Sequence, residues 1–127
     1  MDSDGDLVST FLYNVPSGSY YYQSYNSDGV KVVEGWFTME ENDSTISGEW
    51  HFAKIGHPEG IGPQVGDGVL TGGYQTDSLW IELNPDFRDN NLQLYGMLDD
   101  DMYAGRWMWI TYAGISSAGI FTADYKE

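Results

Sequence analysis

Two histidines, twenty acids and ten tyrosines carry the titratable chemistry of this 127-residue chain. His51 and His57 are spaced like no metal-binding motif, and the chain has no cysteine with which to complete a zinc shell. The lack of cysteine also excludes disulfides and a thiolate nucleophile. Asp2-Ser3-Asp4-Gly5-Asp6 opens like a calcium loop, but Leu7 stands where the loop needs Gly and Tyr13 where it needs the closing Glu. Asp86, Asp89 and the run Asp99-Asp100-Asp101 read as turn acids that face water. No metal centre and no cofactor are expected.

Catalysis by paired carboxylates needs two acids facing one cleft. A serine triad needs a histidine aimed at a serine inside a pocket. The strand register below turns the acids and His51 outward and leaves His57 in a loop, so neither arrangement forms. No helix is expected, so no glycine-rich loop leads into a phosphate-binding helix N-terminus. The chain therefore reads as non-enzymatic.

What remains is a rich set of phenols and indoles, and these need strands to position them. No window keeps a helical period. Short alternating runs bounded by Gly, Asn, Asp and Pro recur instead. They predict strands near 7–14, 18–25, 29–40, 44–53, 67–75, 78–84, 91–98, 101–112 and 116–125. Most connections are tight, as at Asn26-Ser27-Asp28-Gly29, Glu41-Asn42-Asp43 and Asp99-Asp100-Asp101. Tight links make consecutive strands antiparallel neighbours. The expected fold is all-β, an antiparallel up-and-down meander of eight to nine strands closed into a barrel, with a two-sheet sandwich as the alternative. Residues 1–6 are expected to form a disordered acidic N-terminus and residues 7–127 a single domain.

One pattern occurs five times: Val33-x-Gly35-x-Phe37, Ile46-x-Gly48-x-Trp50, Leu70-x-Gly72-x-Tyr74, Leu94-x-Gly96-x-Leu98 and Tyr103-x-Gly105-x-Trp107. Gly119-x-Phe121 repeats its second half. Period two puts each triplet on one face. Glycine leaves room where a small barrel coils, and the large neighbours fill the inside. This register places Trp50, Tyr74, Tyr103, Trp107 and Trp109 inward, as apolar walls with polar tips suited to a small apolar or aromatic ligand. An eight-strand interior is also narrow enough for those rings simply to fill it. A structural or protein-interaction domain with a filled core is thus the alternative function.

Between the fourth and fifth expected strands, residues 55–66 lose all period and gather Gly and Pro. Such a loop suits a lid over one barrel mouth, with His57, Pro58 and Gln64 as its candidate contacts. Outward in the same register stand Trp36, Trp80, Met108 and Ile110, a possible homodimer surface if they cluster. Twenty acids against five bases give a net charge of −15. That field repels phosphate backbones and anionic membranes, so nucleic acid is not an expected partner. The spread of acids, rich in Asp and poor in Lys, is similar to that of proteins adapted to high salt. No apolar run is long enough to span a bilayer as a helix, and the N-terminus lacks the basic and apolar regions of a signal peptide. Localisation stays open.

The Gly48-Glu49-Trp50 and Gly105-Arg106-Trp107 steps, the run Leu70-Thr71-Gly72-Gly73-Tyr74 and the closing Gly119-Ile120-Phe121 resemble lipocalin- and avidin-type barrels, the calycin group. They look still more like small bacterial lipocalin-like barrels built from repeated Leu-x-Gly steps. The resemblance spans residues 29–125 and implies a ligand-binding barrel. It does not imply retinoids, fatty acids or biotin, because the first strand lacks a Gly-x-Trp and the polar residues that hold biotin have no positional match.

Overall fold

The protein is described by a computed structural model covering residues 18–75, 78–87 and 89–126. The expected acidic terminus at 1–6 and the expected strand at 7–14 lie outside the described residues. Eight strands follow in chain order: β1 (Gly18–Tyr25), β2 (Lys31–Asn42), β3 (Thr45–Lys54), β4 (Gly66–Gln75), β5 (Ser78–Glu82), β6 (Asn90–Asp99), β7 (Met102–Thr111) and β8 (Gly114–Lys126). Each pairs antiparallel with the next, and β8 returns to β1, so the meander is a closed barrel rather than a sandwich. Closure removes every free sheet edge. No helix occurs among the described residues.

Local chemistry sets the connections. Asp43 and Asp100 take positive φ in the two-residue turns before β3 and β7. Aspartate tolerates that region because its short side chain can bond locally. In the β1–β2 turn, the Asn26 carboxamide oxygen accepts from the backbone N–H of Asp28 and of Val30, and Gly29 supplies positive φ. After β5 the Asn84 and Asn91 side chains bond each other's stretch of backbone: Asn91 accepts from Asn84 N–H, and Asn84 accepts from Leu92 N–H. That exchange ends β5 at Glu82 and starts β6 at Asn90.

The repeated glycines have one shared cause. At Gly35, Gly48, Gly72, Gly96, Gly105 and Gly119, a Cβ would collide with a carbonyl oxygen of the neighbouring strand. The backbones approach most closely where the sheet coils hardest, and only hydrogen fits there. The large residues beside them point in. Phe37, Met39, Ile46, Leu70, Leu79, Ile81, Leu94, Tyr103, Trp107 and Phe121 are all buried. Tyr22 stacks on Phe52 at 4.1 Å between centroids, and Phe121 meets Tyr103 edge-on at 4.9 Å. Such offset and edge contacts add to the burial of the rings themselves. The outward acids Glu40 and Glu49 are exposed, so the inward–outward reading of these strands agrees with the structure.

Candidate functional site

Inside the barrel, the five candidate residues do not converge on one space. Trp107 and Trp109 lie toward the end of β7 that carries the long loop, whereas Tyr103 at the start of β7 and Tyr74 near the end of β4 belong to the opposite end. Trp50, Tyr103 and Trp107 are buried, and Tyr74 and Trp109 pack partly buried against the core. Their polar tips are engaged within the chain. The Trp50 indole N–H donates to Leu83 O at 2.9 Å, the Tyr103 hydroxyl to Leu79 O at 2.7 Å and the Trp107 indole N–H to Tyr25 O at 2.9 Å. Trp109 donates to Asn90 Oδ1 at 2.8 Å. These bonds fix ring orientations and satisfy groups that would be costly to bury unpaired.

The long loop is latched onto the barrel through Gln64. The Gln64 side chain is fully buried. Its Oε1 accepts from the Tyr22 and Ser24 hydroxyls, both at 2.6 Å, and its Nε2 donates to Ile61 O at 3.0 Å. Ile61 is buried beside it. Gly62 packs directly on the Trp109 ring, and Ser117 Oγ donates to Gly60 O. His57 is exposed and Pro58 is half-buried, so of the three candidate lid residues only Gln64 enters the interior. The alternation of β1 marks Tyr22 as inward, but nothing in the sequence pairs it with a glutamine 42 positions on.

Burial sets the electrostatics of the interior phenols. Tyr22 and Tyr103 are desolvated, which pushes both hydroxyls far above the usual tyrosine range, with the Ser24 hydrogen bond opposing this slightly at Tyr22. At the far end, desolvation raises Tyr74 as well, and the neighbouring Glu41 carboxylate adds to the effect. A raised phenol keeps its proton in the fold and releases it near pH 10.0 once unfolded. Stability is therefore complete below pH 10.0 and falls as pH rises above it. In an alkaline titration, the Tyr22 and Tyr103 share of tyrosinate absorbance should appear only together with loss of the near-ultraviolet circular dichroism. All ten tyrosines ionising in the still-folded protein would contradict this.

On the outer wall, a second constellation forms. Register aligns Asp124 of β8, Tyr21 of β1, Trp36 of β2, His51 of β3 and Asp67 of β4 in one cross-strand row. His51 Nδ1–H donates to Asp67 Oδ1 at 2.9 Å, and the His51 ring lies 4.4 Å from the Trp36 ring between centroids. One position along, the Tyr21 hydroxyl donates to Glu34 Oε1 at 2.8 Å, and Lys31 Nζ pairs with the same oxygen at 2.9 Å. Lys31 and Tyr21 together hold the Glu34 carboxyl below its ordinary range. Tyr21, Glu34, Trp36, His51, Ala53 and Asp67 bound an open groove of about 440 Å³. Trp36 stays 46% exposed within it. The lining contains no serine, cysteine or lysine. The sequence marked Trp36 and His51 as outward, but the pairing of His51 with Asp67 depends on β3–β4 register across a long loop, which strand periodicity does not fix.

The other outward apolar residues are not gathered with Trp36. Two strands, β3 and β4, separate it from Trp80 on β5, and β6 separates Trp80 from Met108 and Ile110 on β7. Trp80 instead stands opposite Tyr95 of β6.

Neither a protein-family model nor a curated protein matches the sequence. Among solved structures, the chain is similar to a redesigned β-barrel, with 15% sequence identity, a TM-score of 0.55, and coverage of 93% of this chain and 95% of that one. At that identity the similarity shows the fold alone: this chain is an eight-strand antiparallel up-and-down β-barrel.

Proposed function

We propose that this protein is a non-catalytic binding module that recognises its ligand on the outer wall, at the Tyr21–Trp36–His51–Asp67 row, with the interior serving as a packed scaffold. The observation that carries this reading is a contrast in exposure. The tips of Trp50, Tyr103, Trp107 and Trp109 are bonded within the chain, and Gln64 is buried among the interior groups. The outer groove's polar groups are also paired, His51 with Asp67 and Tyr21 and Lys31 with Glu34, but they stand open to solvent around a half-exposed indole. Its volume lies within the range of small-molecule sites. The His51–Asp67 pair is exposed and faces no serine or cysteine in the groove lining, which favours binding over a triad-type hydrolysis.

A second reading is favoured by one specific feature, the convergence of the Tyr22 and Ser24 hydroxyls on a single carbonyl oxygen. In that reading an interior ligand replaces Gln64 when the 55–65 loop withdraws. One experiment separates the two. The protein is titrated with a panel of small amines, sugars and aromatic acids while the indole N–H resonances of Trp36 and Trp107 are followed. The outer-wall reading expects shifts at Trp36 and none at Trp107. Saturable shifts at Trp107 with Trp36 unmoved would replace it with the interior reading.

A further inference from the structure

Resting on the outer-wall reading, we infer that the groove takes an organic cation, an alkylated ammonium group seated on Trp36 between Asp67 and Glu34. The chain itself displays related chemistry at Tyr21 and Glu34, which line one end of the groove and meet Lys31 just outside it. There Lys31 Nζ pairs with Glu34 Oε1 at 2.9 Å, donates to the Tyr21 hydroxyl at 3.4 Å and lies 5.7 Å from the centre of that ring, so a phenol and a carboxylate jointly hold an ammonium. The other end offers a stronger aromatic and a second carboxylate in one cross-strand row. Trp36, whose ring lies 4.4 Å from that of His51, offers the aromatic type with the strongest attraction for cations, and Asp67 is the carboxylate across His51 in the same row, with its side chain 77% exposed.

Shape and field agree with that occupant. Ala53 faces Glu34 in register and is exposed, so a small side chain sits between Glu34 and the His51–Asp67 pair. The whole chain carries a net charge of −15, which concentrates cations near its surface and repels anionic competitors. A simple metal ion would gain nothing from the indole, and the groove offers it no converging set of acids. Among the described residues no group of three or more His, Cys, Asp or Glu is arranged to hold a metal. A cation with an apolar surface uses both the ring and the carboxylate.

The test uses choline as the probe and 3,3-dimethylbutan-1-ol as its neutral isostere, at low salt, with the Trp36 indole resonance as readout. Choline should saturate the Trp36 shift, and the neutral isostere should bind about five- to thirty-fold more weakly, the range expected for a cation–π contact of ~1–2 kcal/mol. Trp36→Leu, which keeps apolar bulk, should abolish saturation as read at the His51 ring. Asp67→Asn should weaken choline roughly two- to five-fold, as for an exposed charge pair. Equal affinity for choline and its isostere at Trp36 overturns the cation assignment and leaves the outer-wall site standing. A choline response that survives Trp36→Leu shows only general attraction to an acidic surface and overturns the proposal. Absence of saturation with either probe overturns it as well.

Discussion

Replacing Gln64 with leucine should lower the stability of the barrel by about 3 kcal/mol, although Gln64 belongs to a loop. Leucine has a similar volume and tolerates burial, so the site stays filled. The Tyr22 and Ser24 hydroxyls, however, each lose the oxygen they donate to at 2.6 Å. Each hydroxyl left buried without a partner costs about 1–3 kcal/mol. For a domain of this size a loss of ~3 kcal/mol corresponds to a melting temperature roughly 10 °C lower. His57→Ala and Pro58→Ala, in the same loop but outside the interior, should stay within about 0.5 kcal/mol of wild type. The decisive variant is the triple Tyr22→Phe, Ser24→Ala, Gln64→Leu. It removes donors and acceptor together, and replacing all partners by apolar groups is nearly neutral where removing one is not. It should regain most of the stability lost by Gln64→Leu. A Gln64→Leu protein that melts within about 2 °C of wild type, or a triple variant weaker than the single one, would show that the latch does not hold the loop.

This arrangement also shows where the sequence is readable and where it is not. Strand alternation and the five large-x-Gly-x-large triplets were enough to predict a closed antiparallel meander, because both are local patterns with period two. They placed Trp50, Tyr103 and Trp107 inside and His51 and Trp36 outside, and the structure agrees. Loss of period marked the loop at 55–66, and the structure leaves residues 55–65 outside any strand while Gly66 opens β4. What local pattern cannot supply is which residue of an aperiodic loop turns inward. Gln64 is polar and flanked by Pro63 and Val65, yet it is the residue that is fully buried, while Val65 is 42% exposed. The reason is a contact 40 and 42 residues away in sequence. The outer row is hidden for a related reason. His51 and Asp67 become neighbours only through β3–β4 pairing, and the loop that joins those strands is too long to set their register.

The repeated glycines lead to the other large effect, and Gly105 is the sharpest place to test it. Gly96 of β6 and Gly105 of β7 are direct cross-strand partners. A Cβ on Gly105 would run into the Tyr95 carbonyl oxygen and would lie 2.9 Å from the Tyr95 carbonyl carbon. A Cβ on Gly96 would meet the Ala104 carbonyl oxygen and sit 2.9 Å from the Gly105 Cα. All these obstacles are backbone, so no rotamer change relieves them. The strands would have to separate, and that would break the β6–β7 ladder on which the seating of Tyr103 and Trp107 depends. Gly105→Ala should therefore cost ~3 kcal/mol or more, above the middle of the range for overpacked cores because the clash cannot be absorbed by a side chain. The informative comparison is Gly114→Ala. Gly114 has φ of +106°, but a Cβ there would meet nothing within 4 Å. That substitution carries only conformational strain, about 1–3 kcal/mol for an unfavourable backbone region. Denaturant unfolding of both variants then separates the two roles of glycine in this chain. If close strand approach is the reason for the triplets, Gly105→Ala loses more stability than Gly114→Ala and also loses the near-ultraviolet signal of its packed aromatics. If the triplet glycines served only to relax the backbone, the order would reverse, since Gly105 does not have a positive φ and Gly114 does.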